Sequence, residues 1–394
     1  FAAYSSTMHP SLENINLFDI GSLKEETVKD ILTEARVLPD RISTPICPIC
    51  GHETSANKDS SRKLGWVWIC KNKYRYGCSG KIFIFSRINP LSNTFFENIK
   101  IRLLDVFLLI ICFVTKMQVS LVLEHLNLFR NRRGQPQMSW ATIVDFYSRM
   151  REVTEIVASH HDKLLGGPDK TILLDETFLT KRKYNRGRKT QTMTQVVLGI
   201  YCREDKEGLF FLVDGKKKRD LWPLIARHCH PETSIICTDS ATQYHSVNKL
   251  FNDAVHKTTN HKKGEFVSKI DKLNTINPLE NENKHFKKAI VSRQSEKHLK
   301  QYMALHFYRR TRLSTMKSLD AKVQLFLEDI SLVFPGYGKK GLELKKIEIP
   351  TVESEGISDK MPKTSNKKLL EALSDDDEVP FMDDVDGDPD WEDF

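Results

Sequence analysis

Four short runs rich in β-branched and aromatic residues constrain the fold of this 394-residue chain more than any other feature: Thr171 to Asp175, Gln195 to Cys202, Leu209 to Val213 and Ser234 to Asp239. The first three are spaced as a meander. Leu221-Trp-Pro-Leu-Ile-Ala-Arg-His228 then has helical character, and Tyr244 to Phe251 reads as a helix after the fourth run. Three strands, a helix, a further strand and more helices predict an α/β domain, a mixed sheet with flanking helices. Two of the runs end on carboxylates, Asp175 and Asp239, and Glu280 opens a helix-like stretch 41 residues after the second.

This element order is that of an RNase H-like domain, in which the first and fourth strands are neighbours at the sheet centre. Asp175 would then stand beside Asp239, and a following helix would deliver Glu280 from the flank. Two hard cations held about 4 Å apart need carboxylate oxygens converging from separate elements, one metal serving the nucleophile and the other the leaving oxygen. A lone Asp after an apolar run carries little weight, because turns and caps use Asp constantly. The trio in this order points to a divalent-metal site for phosphoryl chemistry on nucleic acid.

Charge points the same way. The formal charge is +8, but residues 371–394 hold 12 Asp or Glu and no Lys or Arg, which leaves residues 1–370 with 60 basic against 40 acidic side chains. A body that cationic gains counterion-release energy on a polyphosphate. The longest apolar run, Leu103 to Val114, is too short to cross a bilayer and contains Asp105, so it reads as a core helix. With no secretory leader in view, a soluble intracellular protein is expected, without a membrane partner.

Cys47 and Cys50 form Cys-Pro-Ile-Cys ahead of Gly51, and Cys70 and Cys78 follow after 19 and 7 intervening residues. Two thiolates bracketing a tight turn bind one Zn²⁺ from the same side, and Trp66, Trp68, Tyr74 and Tyr76 suit a small zinc ribbon packed on aromatics. Disulfides are the alternative, disfavoured in an intracellular chain. Cys112, Cys202, Cys229 and Cys237 lie in apolar stretches and read as core.

The expected organisation is a helical or flexible lead-in over 1–40, a zinc ribbon over 41–85, a helical DNA-binding or linker region over 86–165, the RNase H-like domain over 166–320, and a polar then acidic disordered tail over 321–394. Within the helical region, Val119 to Leu126 and Ser139 to Arg151 are helices separated by Asn131-Arg-Arg-Gly-Gln135, with Ser139 as a cap. That order permits a helix-turn-helix; a plain helical linker fits equally.

The residues around the acids resemble a known family. Leu174-Asp175-Glu176-Thr177, the basic run Lys181 to Arg188, Thr238-Asp239, Tyr244, Asn260-His261 with Phe266, and Thr275-Ile-Asn-Pro-Leu-Glu280 with Phe286-Lys287 are similar to the DDE transposases of the Merlin superfamily and their bacterial ISXO2-like insertion-sequence relatives. The likeness extends upstream to Cys47-Pro-Ile-Cys50 and Arg149-Met-Arg151. It implies Asp175, Asp239 and Glu280 as catalytic acids holding Mg²⁺ or Mn²⁺, and Cys47, Cys50, Cys70 and Cys78 as ligands of a structural Zn²⁺. Asn283 stands where relatives usually show Trp, while Asn277 keeps its place three residues before Glu280. Glu282 is the competing third acid.

The resemblance further implies a nuclear enzyme that cleaves transposon ends and joins them to target DNA, working as a homo-oligomer on terminal inverted repeats and target duplex. Lys181, Arg182, Lys183, Arg186, Arg188 and Lys189, with Lys284 and Lys287 after Glu280, are the expected DNA-binding residues. Lys216 to Arg219 reads as a solvated turn or an import signal as readily as a DNA contact. His261 suits either a site or a structural role. Two alternatives are a domesticated DNA-binding protein without catalysis and an RNase H-like nuclease that cuts without joining.

Overall fold

The computed structural model describes residues 8–13, 15–16, 19–48, 50–70, 86–179, 195–259, 275–290, 295–336 and 339–345. The expected zinc ligand Cys78, the basic residues Lys181 to Lys189, His261 and the acidic tail lie outside them. The chain divides into two units, residues 1–162 with 286–347, and residues 163–285 with 348–394.

The first unit is built on α2 (Leu103–Val114), eleven of whose twelve residues are buried. Its opening N–H groups, Leu103 and Leu104, donate to the Glu25 carboxylate at 2.9 and 3.1 Å, so α1 (Glu25–Glu34) caps α2 from outside the helix. Asp105 is fully buried, and Arg102 and Arg130 neutralise it. Packed around α2 are α3 (Val119–Asn131), α4 (Trp140–Ser159) and α8 (Leu319–Val333); α7 (Glu296–Thr311) packs along α4. Ser139 caps α4 as expected, its Oγ accepting from Thr142 N–H at 3.2 Å. Phe113 packs against Tyr147 and Phe326 at ring separations of 5.3 and 5.4 Å, tying α2, α4 and α8 into one core.

Two boundaries differ from those read in the sequence. Residues 321–333, assigned to the tail, lie in α8, where Val323, Phe326, Leu327 and Ile330 recur at helical spacing and are buried. α7 belongs with the N-terminal helices, and so Arg309, Arg310 and Arg312 sit in the helical unit. Arg312 is bidentate to the buried Asp329.

The same unit contains an antiparallel sheet in the order β1 (Ser55–Lys58), β2 (Trp66–Cys70), β3 (Ser86–Ile88). Trp66 and Trp68 are buried and meet edge to face.

The second unit is a five-stranded mixed sheet. Its strands are β4 (Thr171–Phe178), β5 (Val196–Cys202), β6 (Glu207–Val213), β7 (Ile235–Asp239) and β8 (Val255–Thr259), in the order β6-β5-β4-β7-β8. The first three form the expected antiparallel meander, whereas β7 and β8 run parallel to β4. Residues 171–174 of β4 and all of β5 are buried, as central strands covered on both faces must be. α5 (Lys218–His228) carries the chain from β6 to β7. The helix expected over Tyr244 to Phe251 is instead two 3₁₀ turns, Thr242–Tyr244 and Val247–Leu250. Ser246, in the left-handed region at φ 64°, interrupts helical geometry between them.

Candidate active site

Strand register positions the first two acids. Leu173 pairs with Cys237 across the parallel β4–β7 ladder. Asp175 and Asp239 each lie two residues further on, and side chains alternate faces with period two, so both carboxylates share the face and level of that pair. Leu173 and Cys237 pack with Tyr201, Ile276 and Leu279, so this is the face covered by the start of α6 (Asn277–Ala289).

α6 approaches β5 closely at Gly199, which pairs with Asp175. A Cβ at that position would lie 3.0 Å from Leu279 Cδ1 and 3.3 Å from Asn283 Oδ1. The absent side chain lets Asn283, 5 % exposed, reach past β5 and donate from Nδ2 to Asp175 Oδ2 at 3.0 Å. Glu280 lies in the first turn of α6, one helical turn before Asn283. Glu282 points elsewhere: its Cγ lies 3.8 Å from where a Cβ on Gly208 of β6 would be.

The Asp175 carboxyl is pushed up to about 8, first by burial and then by the charges of Glu176, Asp239 and Glu280. The other two expected acids, Asp239 and Glu280, therefore both act on the Asp175 carboxyl. Among the described residues, however, the three acids do not bring three ligand atoms within 4.8 Å of one another. Asp239 is braced by the Ala241 N–H, which donates to its Oδ1 at 3.0 Å.

Glu176 alternates to the opposite face of β4. Burial raises its pKa, against the lowering effects of Tyr244, Lys216 and Gln243. Gln243 Nε2 donates to Glu176 Oε2 at 2.9 Å, and the Trp222 indole donates to the Gln243 carbonyl at 3.0 Å. Gln243 and the contact made by Asn283 were not read from sequence. The spacing of Asn283 three residues after Glu280, beyond a buried Leu279, is the signal that could have revealed it.

The basic residues divide. Lys284 and Lys287 are on the exposed side of α6. Lys216 stacks over Phe178 at 4.3 Å and Lys218 over Trp222 at 5.0 Å, so two members of the second basic run pack on the domain's own rings. Asp220, in the first turn of α5, accepts from the N–H of the capping residue Lys217 at 3.2 Å.

In the helical unit, the ligand atoms of Cys47, Cys50 and Cys70 all lie within 4.8 Å of one another. Cys47 and Cys50 bracket a turn closed by Gly51 N–H donating to the Cys47 carbonyl, with Gly51 at φ 71°, and Cys70 ends β2. Three thiols at that spacing suit tetrahedral Zn²⁺. The scattered cysteines form no disulfide among the described residues; Cys202, Cys229 and Cys237 are buried and Cys112 is partly so.

Acidic side chains from two adjacent strands and a covering helix define a carboxylate-lined α/β site. Residues 163–311 match the family model of the ISXO2-like transposase domain, a match that covers the whole sheet, α6 and α7, and the chain is related to the DDE-type transposases through it. No curated protein and no solved structure matches the chain. Among the described residues no helix is long and apolar enough to cross a membrane.

Proposed function

We propose that the protein is a DNA transposase with an RNase H-like catalytic domain, in which Asp175, Asp239 and Glu280 hold two divalent cations, Mg²⁺ or Mn²⁺. The observation that carries this reading is the shared register and face of Asp175 and Asp239 on β4 and β7 beneath α6. The strand order and the family match support it. Glu280 is preferred to Glu282 because Glu280 acts on Asp175, while Glu282 lies against β6.

The donor set fits hard cations: it is all oxygen, it comes from three elements, and its clustered negative charge already raises Asp175. Bound ions of this kind stabilise charge on the attacking and leaving oxygens of a phosphoryl transfer. Asn283 orients Asp175 through its amide, and the Ala241 N–H fixes Asp239. Water attacks the phosphodiester at the element end, breaking the bond to the 3′-oxygen and leaving a 3′-hydroxyl. That hydroxyl then attacks a target phosphodiester, forming one P–O bond as another breaks, with its proton passing to solvent. Lys284 and Lys287, with the run Lys181 to Lys189, would hold the phosphate backbone. Cys47, Cys50 and Cys70, with Cys78, would hold a structural Zn²⁺. The reaction calls for an assembly of at least two copies, and the basic runs suit a nuclear protein.

The test is a strand-joining assay with Mn²⁺ and labelled DNA carrying the inverted repeats that flank the gene, run beside Asp239→Asn. Joined product from the wild type and none from the variant is expected. End binding without cleavage by either protein would favour the domesticated reading, and cutting without joining the nuclease.

A further inference from the structure

The ladder between the two acid-bearing strands is short. It pairs Thr171 with Ile235, Ile172 with Ile236 and Leu173 with Cys237, and ends there, two residues before Asp175 and Asp239. On their outer sides both strands stay paired through the acids, Asp175 with Gly199 and Asp239 with Thr259. Among the described residues, strand pairing thus fixes each acid to its outer neighbour and neither acid to the other. The two carboxylates also repel, Asp239 being among the charges that raise Asp175.

Side chains on the reverse face of the sheet cross this opening. Glu176 points to that face, and Gln243 donates from Nε2 to Glu176 Oε2 at 2.9 Å. The backbone of Gln243 is itself held: Trp222, fully buried, donates its indole N–H to the Gln243 carbonyl at 3.0 Å, and the next residue, Tyr244, is 1 % exposed. The Tyr244 N–H donates to the Ala241 carbonyl at 3.1 Å and the Ala241 N–H to Asp239 Oδ1 at 3.0 Å, so residues 239–244 move as one piece. A shift of Gln243 relative to Glu176 is therefore a shift of Asp239 relative to Asp175.

We propose that Gln243 and Glu176 are positioning residues of the acid site: their hydrogen bond acts as a strut that sets the spacing of β4 and β7 beyond the end of the ladder, and with it the separation of the Asp175 and Asp239 carboxylates. The inference rests on the reading of those two acids as holders of divalent cations. Such cations bind oxygen at about 2.0–2.1 Å in a demanding geometry, so a displacement of about 0.5 Å between the acids is felt in affinity.

The experiment measures Mn²⁺ binding to the full-length protein by electron paramagnetic resonance of the free ion, at pH 8.5. Asp239→Asn defines the sites that belong to the acids, because any Mn²⁺ it still binds lies elsewhere on the chain. Gln243→Glu keeps the shape of the side chain but sets a carboxylate against Glu176. Its added negative charge would by itself tighten a cation, so a loss of affinity reports spacing. We expect Q243E to weaken the Asp239-dependent sites about tenfold, and the swap E176Q/Q243E, which again sets an amide against a carboxylate, to bind within about threefold of wild type. Thermal unfolding without metal checks that each variant folds. Should Q243E not fold, Gln243→Met removes the donor without adding charge and is expected to show the same loss.

Unchanged affinity in the single variant, or a loss that the swap does not recover, overturns the strut while leaving Asp239-dependent Mn²⁺ binding in place. Equal Mn²⁺ binding by wild type and Asp239→Asn would instead sink the metal reading of the acids, and this inference with it.

Discussion

Asp175 concentrates the electrostatics of the sheet unit. With its folded-state pKa near 8 against an ordinary 3.8, the folded protein binds more protons than the unfolded chain between those values, so this residue's contribution to stability falls as pH rises through that window. Divalent cations reverse the trend by favouring the ionised form. We expect Mn²⁺ to raise Tm more at pH 8.5 than at pH 6, and Asp175→Asn to stabilise the metal-free protein at pH 8.5 while abolishing the Mn²⁺ effect; an equal Mn²⁺ shift at both pH values would contradict this. The placement of Asp175 and Asp239 on neighbouring strands was legible in the sequence because carboxylates that close apolar runs stand out. Asn283 and Gln243 were not, because an amide's role depends on which buried group it meets, and that is decided by register between distant elements.

Among the elements, α6 depends on the bare backbone of Gly199. Gly199→Val would drive a branched side chain into Leu279 and Asn283, costing about 1–3 kcal/mol as overpacking and withdrawing the amide from Asp175. Denaturant unfolding should show a loss of that size, and Mn²⁺ titration a weaker affinity; a stable variant with unchanged affinity would refute the close packing of helix on strand. The meander, α2 and the capped α4 were all readable from period and capping residues. β8 was not: Val255-His-Lys-Thr-Thr259 is an edge strand whose mostly exposed or half-buried residues give no apolar alternation. α8 was absorbed into the tail because polar residues lie on both sides of its apolar stripe.

For the molecule as a whole, a small sheet beside three clustered cysteines shares a unit with a helical core rich in buried apolar surface. That core does not rely on the cysteines. Cys70→Ala should therefore reduce bound Zn²⁺ as measured by metal analysis and expose Trp66 and Trp68 to fluorescence quencher, while far-UV circular dichroism keeps its helical signal; loss of helix in step with zinc would show that the ribbon supports the core. The division into units was only partly legible, since α7 and α8 follow the sheet in sequence but pack with helices that precede it, and local patterns do not record which distant partner an apolar face will meet.

The parallel pairing of β4 with β7 also bears on how the chain acquires its site over time. These strands cannot meet until the intervening hairpin and crossover have closed a long loop, so they join late, and their joining brings Asp175 and Asp239 together against mutual repulsion. A divalent cation in the refolding buffer would then act as a folding accelerant whose effect is confined to the last kinetic phase.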